Sequence, residues 1–160
     1  MLSSCTHPKY LVRLDKDLQN ADWTTNPLNY IPLMESDLAS SQILSTTYSL
    51  LTQQKYSQLN KYLSSCKEET PDYLLAKTLY YISKCDYEKG MVYCEKMNGN
   101  YPLLEQLIII DLRYELAKIK GEINYKNFLQ DYQVLIDSYP DNELLKKIIA
   151  IRLRYIRYVY

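Results

Sequence analysis

Glycine is almost missing from this chain, with 3 in 160 residues. That scarcity excludes Gly-rich loops that cradle phosphates and disfavours architectures made of many tight β turns. Histidine occurs once, as His7, with no Ser or Cys arranged beside it on a structured element, so the constellations of nucleophilic catalysis are missing. Acid pairs such as Glu68-Glu69 fall at an exposed helix end and read as solvated charge. An excess of charge is missing too. With 19 basic and 19 acidic side chains the chain is neutral, whereas a nucleic-acid-binding domain needs a basic footprint. Long apolar runs are lacking: the richest, Leu103 to Leu112, is interrupted by Glu105, Gln106 and Asp111 and reads as a buried helix, not a membrane span. No two of the four cysteines stand two residues apart, which excludes the spacing of zinc knuckles and redox motifs. Cys66, Cys85 and Cys94 therefore read as inert thiols. These absences lead us to expect no enzyme, no cofactor, no metal and no nucleic-acid partner.

What the chain does have is tyrosine, 18 against a single Phe and a single Trp. Most of the tyrosines fall on helical core stripes, where Tyr stands in for Phe; the other reading is a Tyr-lined binding surface. Tyr56, Tyr87 and Tyr125 are each followed fifteen residues later by a proline, at Pro71, Pro102 and Pro140. Between them the same pattern recurs. Leu59, Gly90 and Phe128 stand at the third step, Leu63, Cys94 and Tyr132 at the seventh, and Cys66, Met97 and Leu135 at the tenth. Steps of three, four and three mark one face of an α-helix.

Around this pattern the sequence predicts helices throughout. Lys9 to Ala21 has weak helical character through Leu11, Leu14, Leu18 and Ala21. Trp23 to Pro32, broken by Pro27 and Pro32, reads as an irregular connector. Ser36 and Asp37 cap a helix reaching Leu51, Gln53-Gln54-Lys55 turns the chain, and Tyr56 to Cys66 is its partner. Thr70-Pro71-Asp72 opens the next helix, which runs to about Lys84; Asp86 caps Tyr87 to Met97. Pro102 opens a helix that is apolar over most of its circumference and ends at Gly121. Asn124 caps the helix from Tyr125. A last helix begins after Pro140-Asp141-Asn142, with Leu144, Ile148, Ile151 and Tyr155 on its apolar face. Lys146, Lys147, Arg152, Arg154 and Arg157 lie on its charged outer face, as a terminal lid requires. The organisation expected is 1–35 as N-terminal tail, short helix and connector, and 36–160 as the repeat domain.

These residues resemble the tetratricopeptide (TPR) family. Tyr81 to Gly90, continuing through Tyr93 to Met97, is similar to that family's turn and second helix. Leu74, Thr78 and Tyr81 match its large, small and aromatic positions, as do Ile43, Thr47 and Leu50 one unit earlier. The likeness covers roughly residues 40 to 140. It departs in spacing, which is 31 residues from Tyr56 to Tyr87 and 38 from Tyr87 to Tyr125. It departs also at Gly90 and Phe128, where the family prefers Ala. The resemblance implies an all-α fold, a right-handed α-solenoid of about three helix–turn–helix units with a C-terminal capping helix. It also implies a non-catalytic protein–protein interaction module, a scaffold or adaptor whose partner is another protein or a peptide. Carried onto this chain, the family's groove contacts fall on Leu44, Tyr48, Leu75, Leu79 and Ile82. The alternative is that these residues pack against the helix at 9 to 21 and leave no open groove.

At the N-terminus, Leu2-Ser3-Ser4-Cys5 resembles a bacterial lipobox, without the upstream positive and apolar regions of a signal. That resemblance implies lipidation at Cys5 and attachment to a membrane through that anchor alone. The chain would then be a structural or sensor subunit of a bacterial envelope complex, similar to repeat-bearing lipoproteins and sensor ectodomains. Without the lipid the expected location is cytoplasmic. The bare start before Cys5 and the uncapped end at Tyr160 read as a chain cut from a longer parent.

Overall fold

The structure, a computed structural model, describes residues 25–159. Among these residues every regular element is helical. A 3-10 helix, Pro27–Met34, leads into α1 (Glu35–Ser40), α2 (Gln42–Thr52), α3 (Tyr56–Ser65) and α4 (Pro71–Ser83). Then come α5 (Tyr87–Lys96), α6 (Pro102–Lys120), α7 (Tyr125–Ser138) and α8 (Glu143–Val159). The helix predicted at 9 to 21 and the lipobox-like Cys5 lie outside the described residues.

The helix starts follow from local chemistry. Thr70 accepts the Tyr73 amide at 3.4 Å, with Pro71 in the first turn and Asp72 at the positive end of the dipole. Asp86 caps α5 through the Lys89 amide at 3.2 Å, and Asn124 caps α7 through the Asn127 amide at 3.3 Å.

The ends of α2, α4 and α6 share one geometry. Each stops at a left-handed residue: Gln54 (φ 57°), Cys85 (φ 56°) and Gly121 (φ 68°). In each, the next amide reaches back five residues: Lys55 to Leu50 at 2.9 Å, Asp86 to Tyr81 at 3.0 Å, Glu122 to Ala117 at 3.0 Å. This is the bond that closes a helix on its own last carbonyls. The first two turns then enter the next helix two residues after the left-handed position, at Tyr56 and Tyr87. The third takes four, and α6 is 19 residues long against 13 for α4, which is why the second Tyr spacing is the longer.

Packing follows the chain. α2 lies against α3, α4 against α5, and α6 against α7; α2 also touches α4, α5 touches α6, and α7 touches α8. The repeated positions read from the sequence form the seam. Leu59, Leu63, Gly90, Cys94, Met97, Phe128, Tyr132 and Leu135 are all buried, and Cys66 is half-buried.

Three expectations are corrected. The helix foreseen from Ser36 to Leu51 is two helices, because Ser41 is extended (φ −124°, ψ 119°). Its hydroxyl oxygen accepts the Leu44 amide at 3.2 Å and donates to Asp72 at 2.7 Å, so it caps α2 and ties it to α4. The stretch foreseen as an irregular connector is regular from Pro27 and deeply buried. Tyr30, Ile31 and Met34 are fully enclosed, against α1, α2, α4 and α8. Arg152, placed on the outer face of the last helix, is fully buried, as are Leu145, Ile148, Ile149, Ile151 and Ile156 of the same helix.

Candidate functional site

The chemistry of this molecule concentrates where the segment 25–34, the strap, crosses the helices. Besides its contacts with α2, α4 and α8, it is bonded to α6. The Thr25 hydroxyl donates to Glu115 at 2.7 Å and the Tyr30 hydroxyl donates to Asp111. The strap thus reaches all four of α2, α4, α6 and α8. Asn26 caps its 3-10 turn through the Leu28 amide at 2.9 Å. Pro27 and Pro32 fix its backbone without presenting amides that would need partners in the interior.

Asp111 is the centre of the arrangement. Arg152 donates to it from Nη2 at 2.7 Å and from Nε at 3.0 Å, and its remaining arm, Nη1, holds the Ile148 carbonyl at 3.1 Å. The Tyr132 hydroxyl, from α7, donates to Asp111 Oδ1, and the Tyr30 hydroxyl to Oδ2. Asp111, Arg152, Tyr30 and Tyr132 all have no exposed surface. A buried carboxylate is tolerable only when its charge and lone pairs are matched, and here a forked guanidinium and two phenols match them. Burial pushes both phenols well above their ordinary value of 10.0, and the Asp111 charge adds to it, so both stay protonated donors. Burial alone would pull the Arg152 guanidinium down; the Asp111 carboxylate outweighs that and raises it. The cluster joins the strap, α6, α7 and α8 at one point.

Of the residues that the repeat resemblance puts in a groove, Leu44, Leu75, Leu79 and Ile82 are buried and offer no surface. Tyr48 is half-buried at the margin. α2 and α4, which carry them, both lie against the strap.

A second concentration of side chains runs along the α4–α5 hairpin. Lys77, only 7% exposed, places its ammonium 5.9 Å from the Tyr73 ring, 5.7 Å from Tyr81 and 5.9 Å from Tyr93. Tyr81 and Tyr93 stack with centroids 5.4 Å apart. Lys89 and Lys96 cover the same two rings, and Lys96 pairs with Glu69 at 3.8 Å. Cation–π contact of this kind joins helices and is worth about 0.5–2 kcal/mol per pair. Tyrosine here joins neighbouring helices at half-buried positions as well as filling the core at Tyr30, Tyr114 and Tyr132.

Burial, with the charges of Glu105 and Glu95, pushes the Cys94 thiol up to about 12, consistent with an inert role. No group of three His, Cys, Asp or Glu side chains among the described residues is placed to hold a metal ion. No described helix is long and apolar enough to cross a membrane. A shallow depression at the α7–α8 turn, over residues 138–144, carries no convergent catalytic groups.

No protein family, curated protein or solved structure matches the chain in comparison.

Sequence reading missed the Asp111 cluster. A signal was present: Asp111 interrupts Ile108-Ile109-Ile110 on a helix buried nearly all round, and Arg152 sits between Ile151 and Leu153. Two opposite charges, each set in an apolar stretch, are a pairing cue that periodicity alone passes over.

Proposed function

We propose that this chain is a non-catalytic protein-interaction scaffold of TPR type, a stack of helical hairpins capped by α8. Its inner face, on α2, α4, α6 and α8, binds a peptide segment of another protein. The observation that carries the reading is the strap: that face already holds ten residues of extended and 3-10 chain. The shared ending of α2, α4 and α6 supports a repeated hairpin unit. Consecutive hairpins also bury apolar side chains against each other, α2 on α4 and α5 on α6, as units of a repeat array do.

A photo-crosslinking amino acid placed at Tyr48, on the margin of this face, tests the reading against the same group at Val134, 56% exposed on α7. The scaffold reading expects a partner captured from position 48 and none from 134. Capture from 134 alone would move the interaction to the outer helices. A lipid anchor at Cys5 rests on Leu2-Ser3-Ser4-Cys5 only. Intact mass of the native protein tests it, and an unmodified Cys5 that keeps the residues before it removes the anchor.

A further inference from the structure

A buried charge is costly unless it meets a partner, and the buried charges here do so with one exception. Asp111 has Arg152 and two phenols. Glu105 accepts the Gly99 amide at 2.8 Å and the Tyr101 amide at 2.7 Å. Glu115 accepts the Thr25 hydroxyl at 2.7 Å and pairs with Lys118 at 3.3 Å. Lys77 is the exception. Among the described residues its ammonium has no hydrogen-bond acceptor and no carboxylate, only the rings of Tyr73, Tyr81 and Tyr93. The two other lysines over these rings are answered, Lys89 by Asp86 at 3.7 Å and Lys96 by Glu69 at 3.8 Å. One positive charge is therefore left over around the Tyr81–Tyr93 pair. It is also reachable. Thr47 Oγ1 is the one partnerless side-chain polar atom sealed from solvent among the described residues, so the small exposed part of Lys77 includes its ammonium. Positions 73, 77 and 81 follow one another at single helical turns, on the opposite side of α4 from Leu75, Leu79 and Ile82.

The geometry points to a second contact site on the α4–α5 hairpin, where one carboxylate of an acidic peptide segment of another protein docks on the Lys77 ammonium within the rim of Tyr73, Tyr81 and Tyr93. The site lies apart from the inner face and holds whether or not that face binds a peptide. Each part of it has a task. The Lys77 stem is buried, so the ammonium is fixed in place before an anion arrives and little side-chain freedom is lost on binding. The rings thin the water around the charge, which strengthens a charge-assisted hydrogen bond to an incoming carboxylate. They also offer a rigid, amphipathic surface to the rest of the acidic side chain. The charge balance selects a single carboxylate. One charge is unanswered, and Asp86 and Glu69 stand at the margin, where they repel a second negative charge. A phosphate, with roughly two negative charges at pH 7, exceeds what the site can match. The chain as a whole is neutral, so an acidic segment is drawn to this place and not to the surface at large.

Two measurements on the full chain decide the matter, both with a short, N-acetylated, fluorescent all-glutamate peptide as the probe. In the first, fluorescence anisotropy follows its binding to the native chain, to Lys77→Met and to Lys61→Gln, which removes an exposed ammonium from α3. Affinity is expected to fall at least about tenfold in Lys77→Met and less than about twofold in Lys61→Gln. The all-glutamine peptide is expected not to bind. Equal losses in the two variants mean diffuse attraction only and overturn the site, as does undiminished binding by Lys77→Met or no binding by the native chain. Should Lys77→Met lack native helical content, Lys77→Gln takes its place. A gain of about tenfold when one glutamate of the probe is replaced by phosphoserine would make the occupant a phosphate and overturn the carboxylate. In the second, a water-soluble carbodiimide joins the probe to amines that its carboxylates touch. Coupling is expected at Lys77 ahead of the exposed Lys61 and Lys126, and coupling at exposed lysines alone overturns the proposal. Failure here with crosslinking retained at position 48 sinks this inference and leaves the scaffold reading standing.

Discussion

At the scale of single residues, Tyr132 and Thr47 are opposite cases of a buried hydroxyl. Tyr132 is matched, on Asp111. Its folded-state pKa lies above the ordinary 10.0, so folding favours the protonated phenol. That contribution is fully present below pH 10 and is lost as the pH rises from there through the folded value. Urea denaturation followed by circular dichroism should show stability falling above about pH 10, less steeply in Tyr132→Phe. At neutral pH that variant should lose about 1.5–3 kcal/mol, the worth of a hydrogen bond to a charged group. Thr47 is the unmatched case: its buried hydroxyl has no hydrogen-bond partner among the described residues. Thr47→Val, nearly identical in shape, should raise stability by about 1 kcal/mol in the same measurement, since it removes an unsatisfied polar atom. A loss on this substitution would mean that the hydroxyl has a partner.

At the scale of elements, the helices from α3 onward were legible in the sequence almost residue by residue. Thr70-Pro71, Asp86, Pro102, Gly121 and Asn124 are local signals, and local signals survive folding because tertiary packing has no cause to override them. Where tertiary contact does the deciding, reading failed. Ser41 breaks a helix that its neighbours would continue, because its hydroxyl answers to Asp72, 31 positions away. The strap was illegible for a related reason. Its two prolines forbid an α-helix and say nothing of burial. Gly90 is legible as a departure from the repeat pattern, and the structure gives its consequence. A Cβ built there would meet Leu112 Cδ1 at 3.6 Å and Ile82 Cγ1 at 3.7 Å, ordinary contact distances. Glycine inside a helix costs roughly 0.5–1 kcal/mol relative to alanine. Gly90→Ala should therefore stabilise the chain by about that amount, read as a higher midpoint of thermal unfolding. A lower midpoint would show that the α5–α6 contact is tighter than these distances allow.

At the scale of the molecule, a stack of hairpins passes its stability from neighbour to neighbour, and damage at one end stays there. The Asp111 cluster removes that independence. Arg152 near the end of the described chain, Tyr30 near its start, 122 positions away, and Tyr132 between them meet on one carboxylate. Arg152→Leu should cost about 3–5 kcal/mol, because it leaves a buried charge without its counterion. Hydrogen exchange should then quicken in the strap as well as in α8. Quickening confined to α7 and α8 would restore the neighbour-by-neighbour picture. None of this closure was visible in the repeat pattern, which records steps of three and four along a helix and spacings of 31 and 38 between units, and is blind to a bond between distant segments. α1 has no fully buried side chain and meets the core through Leu38 alone, so its exposed residues offer a protease a site of little packing. A single cut there would turn an intramolecular clasp into a two-chain complex, and would make the hold of the first segment on the rest a measurable dissociation constant.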